Sequence, residues 1–99
     1  MQSERPMRVA VLGSTGSIGT STVDVIESSA GRFQAWLLAA HRRLGPLLEQ
    51  ARRLRPAWVV VVDEGAAREI RQNDLPAGTR LAVGAAALAE LVADESVDR

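Results

Sequence analysis

Three short apolar runs, Met7 to Leu12 (MRVAVL), Phe33 to Ala40 (FQAWLLAA) and Trp58 to Val62 (WVVVV), recur along the chain with helical-period segments between them. Runs that are apolar throughout, rather than alternating, suit strands covered on both faces. From Ile18 to about Ser28 the period turns helical, with Ile18, Thr22, Val25 and Ile26 along one face, and Ser29-Ala30-Gly31 closes that helix. Leu44, Leu47, Leu48, Ala51 and Leu54 then fall at the spacing of an amphipathic helix, which Pro56 stops. Strand, helix, strand, helix, strand, at about 25 residues per unit, argues for a right-handed βαβαβ block on a parallel sheet. The expected class is α/β, a Rossmann-like doubly wound parallel sheet. Trp58 is expected in its core.

Further on, a short helix is expected over Gly65 to Asn73, a loop over Asp74 to Gly78, a short strand over Arg80 to Val83 and a last helix over Ala85 to Ala93. The chain stops at Arg99 after that helix, with no strand to follow. Residues 7–99 therefore read as the N-terminal, incomplete part of a larger sheet, behind a polar leader at 1–6. In the doubly wound order the first strand is central, so its outer edge is expected to lack a neighbour here and to invite association.

Ninety-nine residues make one domain or part of one. Twelve basic residues, all Arg, balance twelve acids, which removes nucleic acid or an anionic membrane as the main partner. The balance is uneven: residues 41–55 hold five Arg against Glu49 alone, and residues 63–99 hold eight acids against four Arg. The absence of Cys excludes a disulfide scaffold, a thiolate metal site and a Cys nucleophile. No apolar run exceeds about six residues, too short for a membrane span or a signal-peptide core.

Between the first strand and the first helix lies Gly13-Ser14-Thr15-Gly16-Ser17-Ile18-Gly19. Gly13 permits the tight turn off the strand, Gly16 lets a pyrophosphate approach the backbone, and Gly19 lets the helix pack closely. Backbone N–H groups from Gly16 to Ile18 and the helix dipole favour the phosphates, with the hydroxyls of Ser14, Thr15 and Ser17 as further donors. The spacing is G-x-x-G-x-x-G, a variant common in NADP-preferring reductases. A Walker-type loop is excluded, because no Gly-Lys-Ser/Thr is present.

At the end of the second strand, where an NAD-specific fold carries an acid for the ribose 2′-hydroxyl, stand Ala39-Ala40-His41-Arg42-Arg43. Guanidiniums can pair with a 2′-phosphate, and one can stack on adenine. His41 reads as a helix-entry or adenine-edge contact in preference to a catalytic base. Asp63-Glu64 reads as a helix cap in preference to half of a metal site. Arg52, Arg53 and Arg55 read as a solvated helix face, as do Asp94, Glu95 and Asp98.

The stretch from Gly13 to Ile26, followed by a basic strand end and then Arg-Pro-Ala-Trp-Val-Val-Val-Val-Asp-Glu, resembles the opening of the 1-deoxy-D-xylulose-5-phosphate reductoisomerases. That resemblance implies an enzyme of the non-mevalonate isoprenoid pathway, cytoplasmic or plastid, here expected in a bacterial cytoplasm. It implies isomerisation and reduction of a sugar phosphate to 2-C-methyl-D-erythritol 4-phosphate with NADPH and Mg²⁺ or Mn²⁺, by a full-length homodimer. It places cofactor contacts on Thr15, Gly16, Ser17 and Ile18, and the basic 2′-phosphate role on Arg42. His41 stands where the family has a Gly, and Arg43 where it has an Asn. The metal ligands, the substrate-phosphate site and the lid are expected beyond residue 99, so the segment alone is expected to be inactive. Two alternatives stay open on the sequence: another NADP-dependent reductase with the same loop, or a nucleotide-sensing module without chemistry.

Overall fold

The computed structural model describes residues 7–93. The leader at 1–6 and the acidic residues Asp94, Glu95 and Asp98 lie outside them. Four strands, β1 (Met7–Leu12), β2 (Phe33–Ala40), β3 (Trp58–Val61) and β4 (Arg80–Val83), pair in parallel in the order β1-β2-β3-β4. Helices α1 (Ser17–Glu27), α2 (Leu44–Leu54), α3 (Glu64–Ala67) and α4 (Ala85–Val92) follow the strands in turn.

The sheet carries two apolar layers. Val11, Val23, Ile26, Ala35, Leu38, Ala40, Leu47, Ala51, Val59 and Val61 form the larger one, beneath α1 and α2. Leu37, Ala39 and Val60 form the smaller one, packed with Trp36, Trp58, Leu88 and Leu91, so α4 lies on the opposite face. Helices on both faces of a parallel sheet are the arrangement expected from the apolar strand runs. Between Val9 and Ala10 the β1–β2 register steps by one residue, Val9 facing Ala35 and Ala10 facing Leu37. Trp36 is the extra residue of this bulge, which is why Trp36 and Leu37 share the α4 layer.

Several expectations change. β1 is not covered on both faces: only Val11 is buried, because β1 is an edge of the described sheet. The inner face of α1 is Gly19, Val23 and Ile26, whereas Ile18 and Val25 are exposed. Instead of one helix over 65–73, the chain makes α3 and then a 3₁₀ turn at Gln72–Asp74. The break lets both Ile70 and Leu75 reach the core. Gln72 then donates to the Thr79 carbonyl at 2.5 Å and accepts from Leu81 N–H at 3.1 Å, tying the turn to β4. Trp58 is half-buried, with the Arg80 guanidinium 5.7 Å above its ring.

Candidate functional site

Because all four strands are parallel, the segments that follow them emerge along one edge of the sheet. The loop at 13–16, the turn at 41–43, the cap at Asp63 and the start of α4 at Gly84 are stitched together there by backbone hydrogen bonds. Ser14 N–H donates to Ala39 O at 2.9 Å, Val62 N–H to Ala40 O at 3.0 Å, Asp63 N–H to His41 O at 2.9 Å and Gly84 N–H to Val61 O at 2.9 Å. α1, α2 and α4 all begin at this edge without a side-chain cap. Their first-turn N–H groups lack intrahelical acceptors, and their dipoles favour an anion.

The loop is shaped by its glycines as the spacing requires. Gly13 has φ +68°, a left-handed conformation that follows the strand end at once. A Cβ on Gly19 would fall on the Gly13 carbonyl oxygen and within 2.7 Å of Ser14 Cα, so the first turn of α1 lies directly on the loop. Gly16 is the N-cap, and its backbone N–H donates to Gly13 O at 2.9 Å. Gly16, Ser17 and Ile18 are exposed and Thr15 partly so, but the Gly16 N–H, expected to face a phosphate, is turned back to the Gly13 carbonyl instead.

Ser14 departs from expectation. It is wholly buried, so its hydroxyl is not presented to a ligand at the surface. Its carbonyl accepts from Gln50 Nε2 at 2.8 Å and from Thr20 Oγ1 at 3.5 Å. Gln50, itself 5% exposed, was not singled out by sequence. Its only advance signal is its place in α2, between Leu47 and Ala51 on the covered side. Ser14 Oγ and Gln50 Oε1 are buried without a protein partner among the described residues.

The basic turn sits beside the loop. His41, Arg42 and Arg43 are exposed. Arg43 Nη1 donates to the Thr15 carbonyl at 3.3 Å, which joins the turn to the Gly13–Gly19 loop. Arg42 Nε lies 3.9 Å from Asp63 Oδ2, with 70% of its side chain exposed. Neither His41 nor Arg43 takes a positive φ, so replacing a glycine by His41 strains nothing.

Asp63 is the N-cap of α3, as read from sequence. Its Oδ1 accepts from Gly65 N–H at 2.8 Å and Ala66 N–H at 3.3 Å. The Ala66 and Gly65 N–H groups hold its carboxyl below the usual aspartate value, against a smaller opposing effect of burial. Arg42 and then His41 add weaker attraction. No acid lies near Arg42 in sequence, but Asp63 lies beside it in space.

The loop glycines and the uncapped helix start suit a dinucleotide pyrophosphate, and the adjoining guanidiniums suit a 2′-phosphate. A divalent metal is not suited: among the described residues no three His, Asp or Glu side chains gather to hold one. No helix among them is long and apolar enough to cross a membrane. A groove lined by Val25, Ser29, Arg32 and Phe33 lies at the opposite end of the sheet, away from all these residues.

The family model described as 1-deoxy-D-xylulose 5-phosphate reductoisomerase matches residues 9–99. A protein of that name from Cupriavidus taiwanensis is 43% identical over 93 residues, covering 92% of this chain and 24% of the relative. One from Anaeromyxobacter sp. (strain K) is 51% identical over 77 residues, covering 78% and 20%. Among solved structures, the Zymomonas mobilis reductoisomerase in complex with NADPH superposes with a TM-score of 0.77 at 37% identity, over 86% of this chain and 22% of that one. A reductoisomerase in complex with magnesium gives 0.79 at 28% identity, over 94% and 24%. The chain thus spans about a quarter of the length of the relatives it matches.

Proposed function

The chain belongs to the 1-deoxy-D-xylulose 5-phosphate reductoisomerase family, and from that premise we propose that it is the NADPH-binding segment of such an enzyme. The observation that carries the reading is the Gly13–Gly19 loop, packed so tightly on α1 that Gly19 admits no Cβ, with Arg42 and Arg43 beside it. Thr15, Ser17 and Ile18 would receive the pyrophosphate through their backbone N–H groups, and Gly16, whose own N–H is held by Gly13 O, would let it approach by having no side chain. Arg42 would pair with the 2′-phosphate, and Arg43 would divide its contacts between that phosphate or adenine and the loop. Bound there, NADPH supplies the hydride that reduces the isomerised sugar phosphate. The role of this chain's residues is to bind and orient the cofactor.

The divalent metal and the sugar phosphate would be held by parts of the protein outside this segment, which spans about a quarter of its relatives' length. A cytoplasmic, homodimeric full-length enzyme is proposed from the family resemblance. The test pairs two measurements. The full-length protein should oxidise NADPH only when 1-deoxy-D-xylulose 5-phosphate and Mg²⁺ or Mn²⁺ are both present. The isolated 99-residue polypeptide should not do so under any of these conditions. Substrate-independent oxidation, or binding of NADH in preference to NADPH, would overturn the proposal.

A further inference from the structure

Gln50 occupies a place where an amide is costly. It sits on the covered side of α2 among Leu47 and Ala51, nearly removed from solvent, and a buried amide must find partners. An apolar side chain of the same length would fill that place and leave no unpaired Oε1. What the amide does is hold the Ser14 carbonyl at 2.8 Å, from 36 positions away in sequence. The Ser14 N–H is meanwhile held by Ala39 O of β2 at 2.9 Å. Ser14 is therefore clamped on both sides, by β2 through its N–H and by α2 through its C=O.

That clamp has a consequence for the next peptide unit. The described peptides are all trans, so a carbonyl and the N–H that follows it point in opposite directions. With the Ser14 carbonyl turned inward to Gln50, the Thr15 N–H is turned outward, at the start of the exposed run Gly16, Ser17 and Ile18. We infer that Gln50 is a positioning residue for the pyrophosphate loop, aiming the Thr15 N–H at the cofactor by holding the Ser14 carbonyl. The inference rests on the reading of that loop as an NADPH site.

The test uses the full-length protein with Gln50→Leu and Gln50→Glu, titrated with NADPH, NADH and adenosine 2′-monophosphate. Gln50→Leu should weaken NADPH and NADH by the same factor, about tenfold. Adenosine 2′-monophosphate has no 5′-phosphate, and its affinity should stay unchanged. In Gln50→Glu the buried carboxyl keeps the shape; protonated it donates to the Ser14 carbonyl, and ionised it repels it. Affinity for NADPH should therefore recover as pH falls from about 8 to about 6, with no such recovery in the wild type. This second variant decides the matter should Gln50→Leu fail to fold. Unchanged NADPH affinity in Gln50→Leu would overturn the inference. So would loss of all three ligands together, or a Gln50→Glu protein whose affinity ignores pH. A wild type that binds neither dinucleotide refutes the NADPH-site reading itself, a result distinguishable from each of these.

Discussion

The Gly13–Gly19 loop and the His41–Arg43 turn lie side by side on one edge of the sheet, but the first is held from within and the second from without. The loop's fixed points are buried: Ser14 and Gly19 are covered, and Gln50 and Ala39 grip the backbone between them. The turn's side chains reach outward, and Arg42 meets Asp63 only at 3.9 Å in solvent. Exposed pairs of this kind contribute little to stability and are screened by salt. A loop fixed from inside can present N–H groups to a pyrophosphate without rearranging. A guanidinium held so loosely can leave Asp63 for a phosphate at little cost. On the proposed reading as an NADPH site, one region would supply preorganisation and the other choice between ligands.

The comparison breaks first at Gly19. Gly19→Ala places a methyl on the Gly13 carbonyl, and the loop must lift from α1. Overpacking against backbone costs about 3 kcal/mol, so both NADPH and NADH should bind roughly 100-fold more weakly, with a lowered melting temperature. A variant that melts and binds like the wild type would mean the loop has slack. Arg42→Ala should have a smaller and selective effect, weakening NADPH about tenfold while leaving NADH unchanged. That loss should shrink as salt is raised. Arg43→Ala should add a slight loss for NADH, because Arg43 also touches the Thr15 carbonyl. Equal losses for both cofactors in Arg42→Ala would make the turn a second scaffold, and the contrast would collapse.

The smallest effect belongs to Asp63. Its folded-state pKa lies below the ordinary value of 3.8, so its ionised form stabilises the fold fully above that value. The contribution is lost as pH falls through the folded-state pKa. Asp63→Asn keeps an acceptor for the α3 cap but removes this slope from acid-unfolding curves. At neutral pH it should also free Arg42 and strengthen NADPH binding by about twofold. Weaker NADPH binding in Asp63→Asn would show that Asp63 aims Arg42 instead of competing for it.

What the sequence revealed follows the same divide. The glycine loop was legible because its spacing encodes backbone geometry, and α2 because Leu44, Leu47, Leu48, Ala51 and Leu54 mark one stripe. The inner face of α1 is hidden from the sequence for a physical reason. Its true stripe begins with Gly19, which has no side chain to register as apolar, while Ile18 and Val25 are apolar and face outward. The helix expected through Asn73 gives way to a 3₁₀ turn at Gln72–Asp74, whose Gln72 side chain bonds to the Thr79 carbonyl and the Leu81 N–H, partners that its sequence position does not reveal. Gln50 is easily missed because, beside Glu49 and ahead of Arg52, its place on the covered stripe looks like part of a solvated face. Asp63 was read as a cap, but its proximity to Arg42 depends on β2 and β3 being neighbours.

The bulge at Trp36 bears on how this chain can tolerate changes of length. From Leu37 to Ala39 the strand is locked on both sides, by β1 and by β3, whereas Phe33 to Ala35 pair with β1 alone. Deleting Trp36 would restore strict alternation, and the shift would fall on the singly paired half. The parity of Leu37 to Ala40, and with it the side from which His41 leaves the sheet, would be preserved. The pairing of Leu37 to Ala39 with both neighbours, and not the number of residues before Trp36, thus sets where His41 leaves the sheet.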